Sequence, residues 1–170
     1  MIRNAFVFSL GATGMLVTII GTLHTTPTYQ SLLFLIGATL LLFNAIANQL
    51  KLFIAFEVVI VMSTILSFFP LLPNIVKGGI PLTLGILLIL IYAIKRWLIA
   101  KNDILGCLSL LILAMGFATL NPWVYLVGGI AGLIYAYIEY QKDIHSALFW
   151  VILNGVFIIS TSLSLIQVLQ

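Results

Sequence analysis

Residues 104–138 read ILGCLSLLILAMGFATLNPWVYLVGGIAGLIYAYI, and these thirty-five positions include no charged residue. An α-helix rises ~1.5 Å per residue and the hydrocarbon core of a bilayer is ~30 Å thick, so about 20 residues make one crossing. The stretch is therefore too long for a single span. Asn121-Pro122 interrupts it near the middle, where proline disfavours a continuing helix. The stretch predicts a hairpin of two membrane-spanning helices.

The rest of the chain has the same apolar character. Only 6% of its 170 residues are charged and 63% are hydrophobic, and the mean hydropathy is +1.29. A soluble domain usually has about 25% charged residues, so the chain lacks the charge for a water-exposed surface. The composition predicts an all-α integral membrane protein with the lipid bilayer as its solvent. The cations are scattered, which does not fit a nucleic-acid partner, and the single cysteine, Cys107, excludes an intramolecular disulfide or a thiolate metal cage.

Turn residues divide the uncharged runs into seven predicted spans within one membrane domain, 1–170. Pro27 follows the first span, Pro70 and Pro73 end the third, and Gly78-Gly79-Ile80-Pro81 is expected to open the fourth. The boundary between the second and third spans is the least marked, because Asn48-Gln49-Leu50-Lys51 contains no Gly or Pro. The predicted helices are 5–23, 31–48, 52–69, 80–98, 104–119, 123–139 and 145–168.

The distribution of cations gives the predicted bundle a direction. With seven spans, one face receives the N-terminus and the loops after helices 2, 4 and 6. These carry six of the seven cations: Arg3, Lys51, Lys95, Arg96, Lys101 and Lys142. The opposite face receives only Lys77. Because cytoplasmic loops are enriched in Lys and Arg, we expect a cytoplasmic N-terminus and an outside C-terminus, in a bacterial inner (plasma) membrane.

Two of the predicted helices resemble each other in sequence. Leu35–Lys51 reads LIGATLLLFNAIANQLK and Leu126–Lys142 reads LVGGIAGLIYAYIEYQK, and the two align without gaps at an offset of 91 residues with five identities in seventeen. The match predicts two parallel three-helix repeats, 5–69 and 104–168. Three helices are an odd number, so a fourth crossing, the linker helix 80–98, is needed to restore the orientation. The predicted fold is therefore 3+1+3.

This plan resembles that of the sugar-transporting SWEET proteins and the PnuC vitamin transporters, which are small seven-helix carriers built from parallel three-helix units. The resemblance covers essentially the whole chain and is one of architecture. The chain has neither the Pro-Gln pair of the PQ-loop relatives nor a tryptophan-rich motif of the PnuC kind, and SWEET proteins usually place the N-terminus outside. The resemblance implies transport of a small solute, and no family residue is carried over.

Glu57 is the one charged residue well inside a predicted span, six residues past Lys51 and ~9 Å of helix rise into the membrane. An ionisable side chain in hydrocarbon costs ~2.5–3.5 kcal/mol on insertion scales, so its presence needs a reason. Glu57 is predicted to bind a cationic or hydroxylated solute or to carry a coupling proton. The alternative is a glutamate near the interface, partnered by Lys51 or by a neighbouring helix.

Further polar groups recur at helical spacing in the second, sixth and seventh predicted helices. Asn44 and Asn48 share one face, and Tyr135 is the repeat equivalent of Asn44. Trp150 and Asn154 lie on one stripe and could stack against and hydrogen-bond a ring-bearing solute. These five residues complete the predicted substrate site between the repeats. The alternative is that they only join helices by hydrogen bonds, typically worth ~0.6 kcal/mol.

The function predicted from the sequence is a transporter or facilitator for a small polar solute, such as a sugar, a nucleoside or a vitamin precursor. The chain contains no HExxH, GxSxG, aspartate-rich or Walker motif, so we expect neither an enzyme nor a cofactor or metal site. The alternative is a non-catalytic membrane subunit of a larger complex. The predicted partners of the chain are the lipid bilayer and the small polar solute. A homo-oligomer and a larger membrane complex are both left open.

Overall fold

The computed structural model describes residues 2–23, 26–97, 102–142 and 144–169. Lys101 lies outside these residues, as do the side chains at 2–4, and with them Arg3. Over the described ranges the chain forms seven α-helices and one short 3₁₀ turn, His145–Ala147, with no strand. The helices are α1 (Ile2–Leu23), α2 (Pro27–Ala47), α3 (Lys51–Ser67), α4 (Asn74–Ile94), α5 (Asp103–Thr119), α6 (Pro122–Gln141) and α7 (Leu148–Leu169). The all-helical prediction is confirmed.

Five helical segments are long and apolar enough to cross a membrane, as an integral membrane protein requires. Among the described residues they are Ala5–Leu23, Pro27–Ala47, Asn74–Ile94, Pro122–Gln141 and His145–Leu163. The other two helices, α3 and α5, have 17 residues each, or ~25 Å of helix rise. They lie at the short end of the range that spans a bilayer.

The predicted starts of α2 and α4 are wrong. Both helices begin earlier, α2 at Pro27 rather than 31 and α4 at Asn74 rather than 80. Pro27 occupies the first turn, where its missing N–H costs nothing because that position has no helical acceptor. Pro81 lies inside α4 and does not open it; interior prolines are tolerated in membrane helices because neighbouring groups satisfy the freed backbone.

The weakly marked boundary between the second and third helices is confirmed. α2 ends because Gln49 takes the left-handed conformation, with φ of 56°. The N–H of Leu50 then donates to the carbonyl oxygen of Ala45 at 3.0 Å, which satisfies the end of the helix. Arg96 and Leu120 end α4 and α5 in the same conformation. Glycine usually occupies this position, so its absence made these ends hard to read from sequence.

Six of the helices form a closed ring in the order α1, α2, α3, α5, α6 and α7, with α7 returning to contact α1. α4 lies outside the ring and packs against α3 and α5. Consecutive helices run in opposite directions, so the bundle has two distinct ends. At the first end, which we name the basic end, Lys51 and Lys95 both place their ammonium groups over the ring of Trp97, at 4.5 and 4.9 Å.

The opposite end, the proline end, contains Pro27, Pro70, Pro73 and Pro122 at the helix boundaries. Lys77 is the one lysine or arginine near this end among the described side chains; it is mostly buried and its Nζ lies 3.5 Å from the carbonyl oxygen of Pro70. The exposed cations Lys51, Lys95, Arg96 and Lys142 all belong to the basic end.

Small residues allow α1 to approach α2, and α5 to approach α6. Gly37 on α2 faces Thr18 on α1 so closely that a Cβ at Gly37 would overlap the Thr18 hydroxyl and lie 2.9 Å from the carbonyl oxygen of Gly14. On the other side of the ring, the Ser109 hydroxyl of α5 donates to the carbonyl oxygen of Gly128 of α6 at 2.9 Å. In both helix pairs, a hydroxyl group on one helix therefore packs directly against the backbone of a glycine on the other.

Gly37→Ala should lower the free energy of unfolding by about 1–3 kcal/mol, because the added methyl group overpacks the contact between α1 and α2. Gly155→Ala in α7 is the matched control: its Cβ would meet nothing within 4 Å, and alanine favours a helix over glycine by about 1 kcal/mol. Thermal unfolding in mild detergent, followed by helical circular dichroism, measures both. Equal shifts for the two variants would contradict the close approach.

Candidate functional site

A central cavity lies on the axis of the ring, and every ring helix contributes to its wall. The wall includes Thr18 of α1, Leu41 of α2, Glu57 of α3, Leu113 of α5, Tyr135 of α6 and Trp150 of α7. Its volume is about 20 Å³, which is room for one water molecule. The cavity is therefore too small to hold a sugar or a nucleoside.

A hydrogen bond across the cavity wall joins Glu57 to Trp150. The indole Nε1–H of Trp150 donates to Oε1 of Glu57 at 2.8 Å, and the two side chains are 3% and 1% exposed. These values place the carboxyl group in the protein interior. Lys51, the partner considered from sequence, lies over Trp97 instead. The sequence treated Glu57 and Trp150 separately; the fold makes them one unit that links α3 to α7.

Four aromatic side chains line the cavity together with Glu57, and we name them the aromatic box: Phe53, Phe56, Tyr135 and Trp150. The rings of Phe53 and Trp150 stack with centroids 4.3 Å apart, and those of Phe56 and Tyr135 are nearly parallel at 6.3 Å. Phe53 lies 5.5 Å from Tyr135. All four rings and Glu57 line the central cavity. The site thus combines one carboxyl group with several π faces.

Two further polar side chains of the cavity, Thr18 and Asn154, make donor bonds within their own helices. The Thr18 hydroxyl donates to the carbonyl oxygen of Gly14 at 2.8 Å, and Nδ2 of Asn154 donates to that of Trp150 at 2.8 Å. Asn154 is buried, and its Oδ1 would lie 2.8 Å from a Cβ placed on Gly132. Gly132 therefore leaves space in front of the amide that any larger residue would fill.

Four of the six residues predicted for the site line the central cavity: Glu57, Tyr135, Trp150 and Asn154. Asn44 and Asn48 do not. Nδ2 of Asn44 donates to the carbonyl oxygen of Val7 at 2.7 Å, and Nδ2 of Asn48 donates to that of Asn44 at 3.0 Å. Both line a separate pocket of about 380 Å³ near the basic end, between α1, α2 and the start of α7. There Asn44 joins α2 to α1, whereas the bond of Asn48 stays with its own neighbour Asn44.

A pocket lies beyond the central cavity at each end of the ring. The proline-end pocket, about 190 Å³, is lined by Thr22, Gln30, Phe34, Tyr125, Phe157 and Thr161 among others. The basic-end pocket, also about 190 Å³, is lined by Lys51, Phe53, Trp97, Asp103, Tyr135 and Glu139 among others. Each shares two aromatic residues with the central cavity: Phe34 and Phe157 at the proline end, Phe53 and Tyr135 at the basic end.

These shared aromatic residues separate the central cavity from the two pockets. At the proline end, the ring of Phe157 lies 5.9 Å from Phe34 and 5.9 Å from Tyr125, and all three side chains are buried. At the basic end, the ring of Phe53 lies 5.5 Å from that of Tyr135 and 4.3 Å from that of Trp150. We name Phe34, Tyr125 and Phe157 the proline-end barrier, and Phe53 with Tyr135 the basic-end barrier.

The sequence missed the phenylalanines of the site, and it could hardly have found them. Phe34, Phe53, Phe56 and Phe157 stand in helices that are apolar on every face, so no polar stripe marks which side faces the cavity. The one usable signal was helical spacing: Phe53 lies four positions before Glu57 and therefore shares its face.

No known protein family, curated protein or solved structure matches the chain. Among the described residues, no group of three or more His, Cys, Asp or Glu side chains could hold a metal ion. The site must therefore be interpreted from its own geometry: a closed cavity with one carboxyl group and an aromatic box, and a pocket at either end.

Proposed function

We propose that the protein is a membrane transporter or facilitator for a small polar solute, with the solute site in the central cavity. One observation supports this most: a cavity with a buried carboxyl group lies between two pockets of equal volume, and thin aromatic barriers separate them. A carrier that alternates its access needs a central site that can be closed from both sides. The conformation described here would then be the occluded one.

Side-chain contacts extend the proposed 3+1+3 repeat beyond the aligned segment, to α1 and α5. Thr18 and Ser109 are separated by the same 91 residues as Gly37 and Gly128. The first hydroxyl packs against Gly37 and the second bonds the carbonyl oxygen of Gly128. The same offset thus relates a helix pair in one proposed repeat to a helix pair in the other.

A second pair at this offset lies near the axis of the ring. Phe34 and Tyr125 are 91 residues apart, and their ring centroids are 6.4 Å apart across the bundle. Residues related by a twofold axis contact each other only close to that axis. The order of the ring fits as well, because exchanging the proposed repeats turns the α3–α5 contact into the α7–α1 contact.

We propose that all seven helices span the membrane, with the basic end in the cytoplasm. The exposed cations at the basic end support this orientation, which gives a cytoplasmic N-terminus and an outside C-terminus. α3 and α5 are short, but both belong to the ring and cannot be removed from the bilayer without opening it. In transport, one three-helix repeat would rock against the other along the α3–α5 and α7–α1 contacts.

The closed cavity also supports a second candidate, a non-catalytic subunit of a larger membrane complex. A volume of about 20 Å³ is what a purely structural core would retain. In that case the bond between Glu57 and Trp150 would only tie α3 to α7. Recovery of the chain only together with other chains after mild extraction would favour this candidate.

Uptake into liposomes containing the purified protein tests the transport proposal. We expect at least one labelled solute from a panel of sugars, nucleosides, vitamin precursors and amines to enter saturably. Glu57→Gln should reduce that uptake at least about tenfold, because Glu57 carries the one carboxyl group in the described wall of the cavity. Trp123→Phe, at an exposed tryptophan of the proline end, is the control. Exclusion of every solute would contradict transport.

A further inference from the structure

We infer that the central cavity is a site for a small organic ammonium ion, held by Glu57 and the aromatic box. This inference rests on the proposed function, since it names the class of solute that the transporter would carry. Three features of the wall carry it: the hydrogen-bonding character of its polar atoms, its charge, and the arrangement of its rings. The neutral sugars and nucleosides considered from sequence fit these features less well.

The polar atoms of the wall offer mainly acceptors, because three of its five hydrogen-bond donors are engaged; the Tyr135 hydroxyl and one N–H of Asn154 are the other two. Thr18 and Trp150 each use their single polar hydrogen, toward Gly14 and Glu57, and Asn154 uses one of its two toward the carbonyl oxygen of Trp150. A carboxylate accepts about four hydrogen bonds, and Trp150 supplies one of them. A hydroxylated neutral solute needs donors as well as acceptors from its site, whereas an ammonium ion needs acceptors alone.

The charge of the wall points the same way. Glu57 is its one acidic residue, and the described wall contains no lysine, arginine or histidine that could balance its carboxylate form. A carboxylate without a counter-charge in a medium of low dielectric constant is costly. Two cations of the basic end interact with other groups than Glu57. Lys51 lies over the ring of Trp97, and Lys142 forms an ion pair with Glu139 at 2.7 Å. A cationic ligand would supply the missing counter-charge.

The aromatic box supplies the third feature. Phe53, Phe56, Tyr135 and Trp150 all face the space that contains the carboxyl group. Ring faces attract cations electrostatically, most strongly for tryptophan, and cages of this kind bind quaternary ammonium groups. A cage that also contains a carboxylate selects for charge as well as shape. The closed volume of about 20 Å³ means that the rings must move apart for such an ion to enter, through either barrier.

Fluorescence of Trp150 can report binding directly. With Trp97→Phe and Trp123→Phe, Trp150 is the one remaining tryptophan of the chain. In detergent we titrate choline and its uncharged carbon isostere, 3,3-dimethylbutan-1-ol, which has the same shape. We expect saturable change of the emission with choline and at least about a tenfold weaker response to the isostere, because the cation–π and charge contributions are then lost. Equal responses, or none to choline, would overturn the inference.

A second arm uses Glu57→Gln in the same background. The half-saturating choline concentration should rise at least about tenfold while the response to the isostere stays the same. Should this variant not remain monodisperse, the comparison of choline with its isostere in the unchanged site still decides the question. Failure of the two proposals can be told apart: choline binding without uptake into liposomes contradicts transport alone, and saturable uptake of a neutral solute without choline binding contradicts the ammonium site alone.

Discussion

Trp150→Phe should lower the free energy of unfolding by about 2–3 kcal/mol, the largest effect that we expect from any single hydrogen bond in the chain. The substitution keeps an aromatic ring stacked near Phe53 but removes the N–H that donates to Glu57 at 2.8 Å. A buried acceptor left without its donor loses about 1–3 kcal/mol, and more when it is charged. Chemical unfolding in mixed detergent micelles, followed by helical circular dichroism, measures the loss.

The matched control is Trp123→Phe, which should change the free energy of unfolding by less than about 0.5 kcal/mol. Trp123 is 57% exposed at the proline end, so its substitution leaves no buried polar group without a hydrogen-bond partner. If both tryptophan variants lose the same stability, the effect belongs to the change of ring size and has nothing to do with Glu57.

A double-mutant cycle with Glu57→Leu isolates the bond. Glu57→Leu leaves the indole N–H without its acceptor, but the double variant removes both partners together. Replacing both partners of a buried bond by apolar groups can be nearly neutral. We therefore expect the double variant to be more stable than the sum of the two single losses by about 1–3 kcal/mol. Strict additivity would mean that the bond between α3 and α7 carries no energy.

The sequence was informative where a residue is chemically out of place. A glutamate in an otherwise uncharged run, and an asparagine one turn after a tryptophan, were recognised as candidates because such groups are costly in hydrocarbon. Glu57, Trp150 and Asn154 indeed line one cavity. Proline and charge marked most helix boundaries for the same reason: few residues of the chain can end a helix.

The sequence was uninformative wherever apolar residues had to be assigned a face. In a soluble helix the polar side reveals the buried one, but lipid and protein interior are equally apolar, so Phe53 and an outward-facing phenylalanine such as Phe43 look alike. The bonding partner of Asn44 could not be predicted from the sequence either. Its amide bonds the carbonyl oxygen of Val7, a neighbour that no spacing rule identifies. The ring of six helices with α4 outside it was likewise not predicted.

The two aromatic barriers lead to the second large effect. With Cys107→Ala to remove the native thiol, Asn154→Cys places a reporter thiol in the central cavity. The barriers should keep this thiol almost unreactive toward a membrane-impermeant trimethylammonium thiosulfonate applied to intact cells. Adding Phe157→Ala should raise the labelling rate at least about tenfold. The labelling rate of a buried thiol depends on the free energy of local opening, and lowering that free energy by ~1.4 kcal/mol raises the rate tenfold.

Phe53→Ala is the matched variant at the other barrier, and the comparison also decides the orientation of the bundle. If the proline end faces outward, as the cations of the basic end indicate, Phe157→Ala admits the reagent in intact cells. Phe53→Ala should then admit it only in inside-out vesicles. The reverse pattern would contradict the orientation but preserve the two barriers.

Phenylalanine-to-alanine changes in a packed core cost about 3–5 kcal/mol, so loss of folding must be told apart from an opened barrier. Labelling from only one side of the membrane makes that distinction, because an unfolded bundle exposes the thiol to both. Phe157→Val, a smaller truncation, should give an intermediate rate from the same side. Labelling of Asn154→Cys that is fast with both barriers intact would contradict the closed cavity, and with it the argument that this conformation is the occluded state of a carrier.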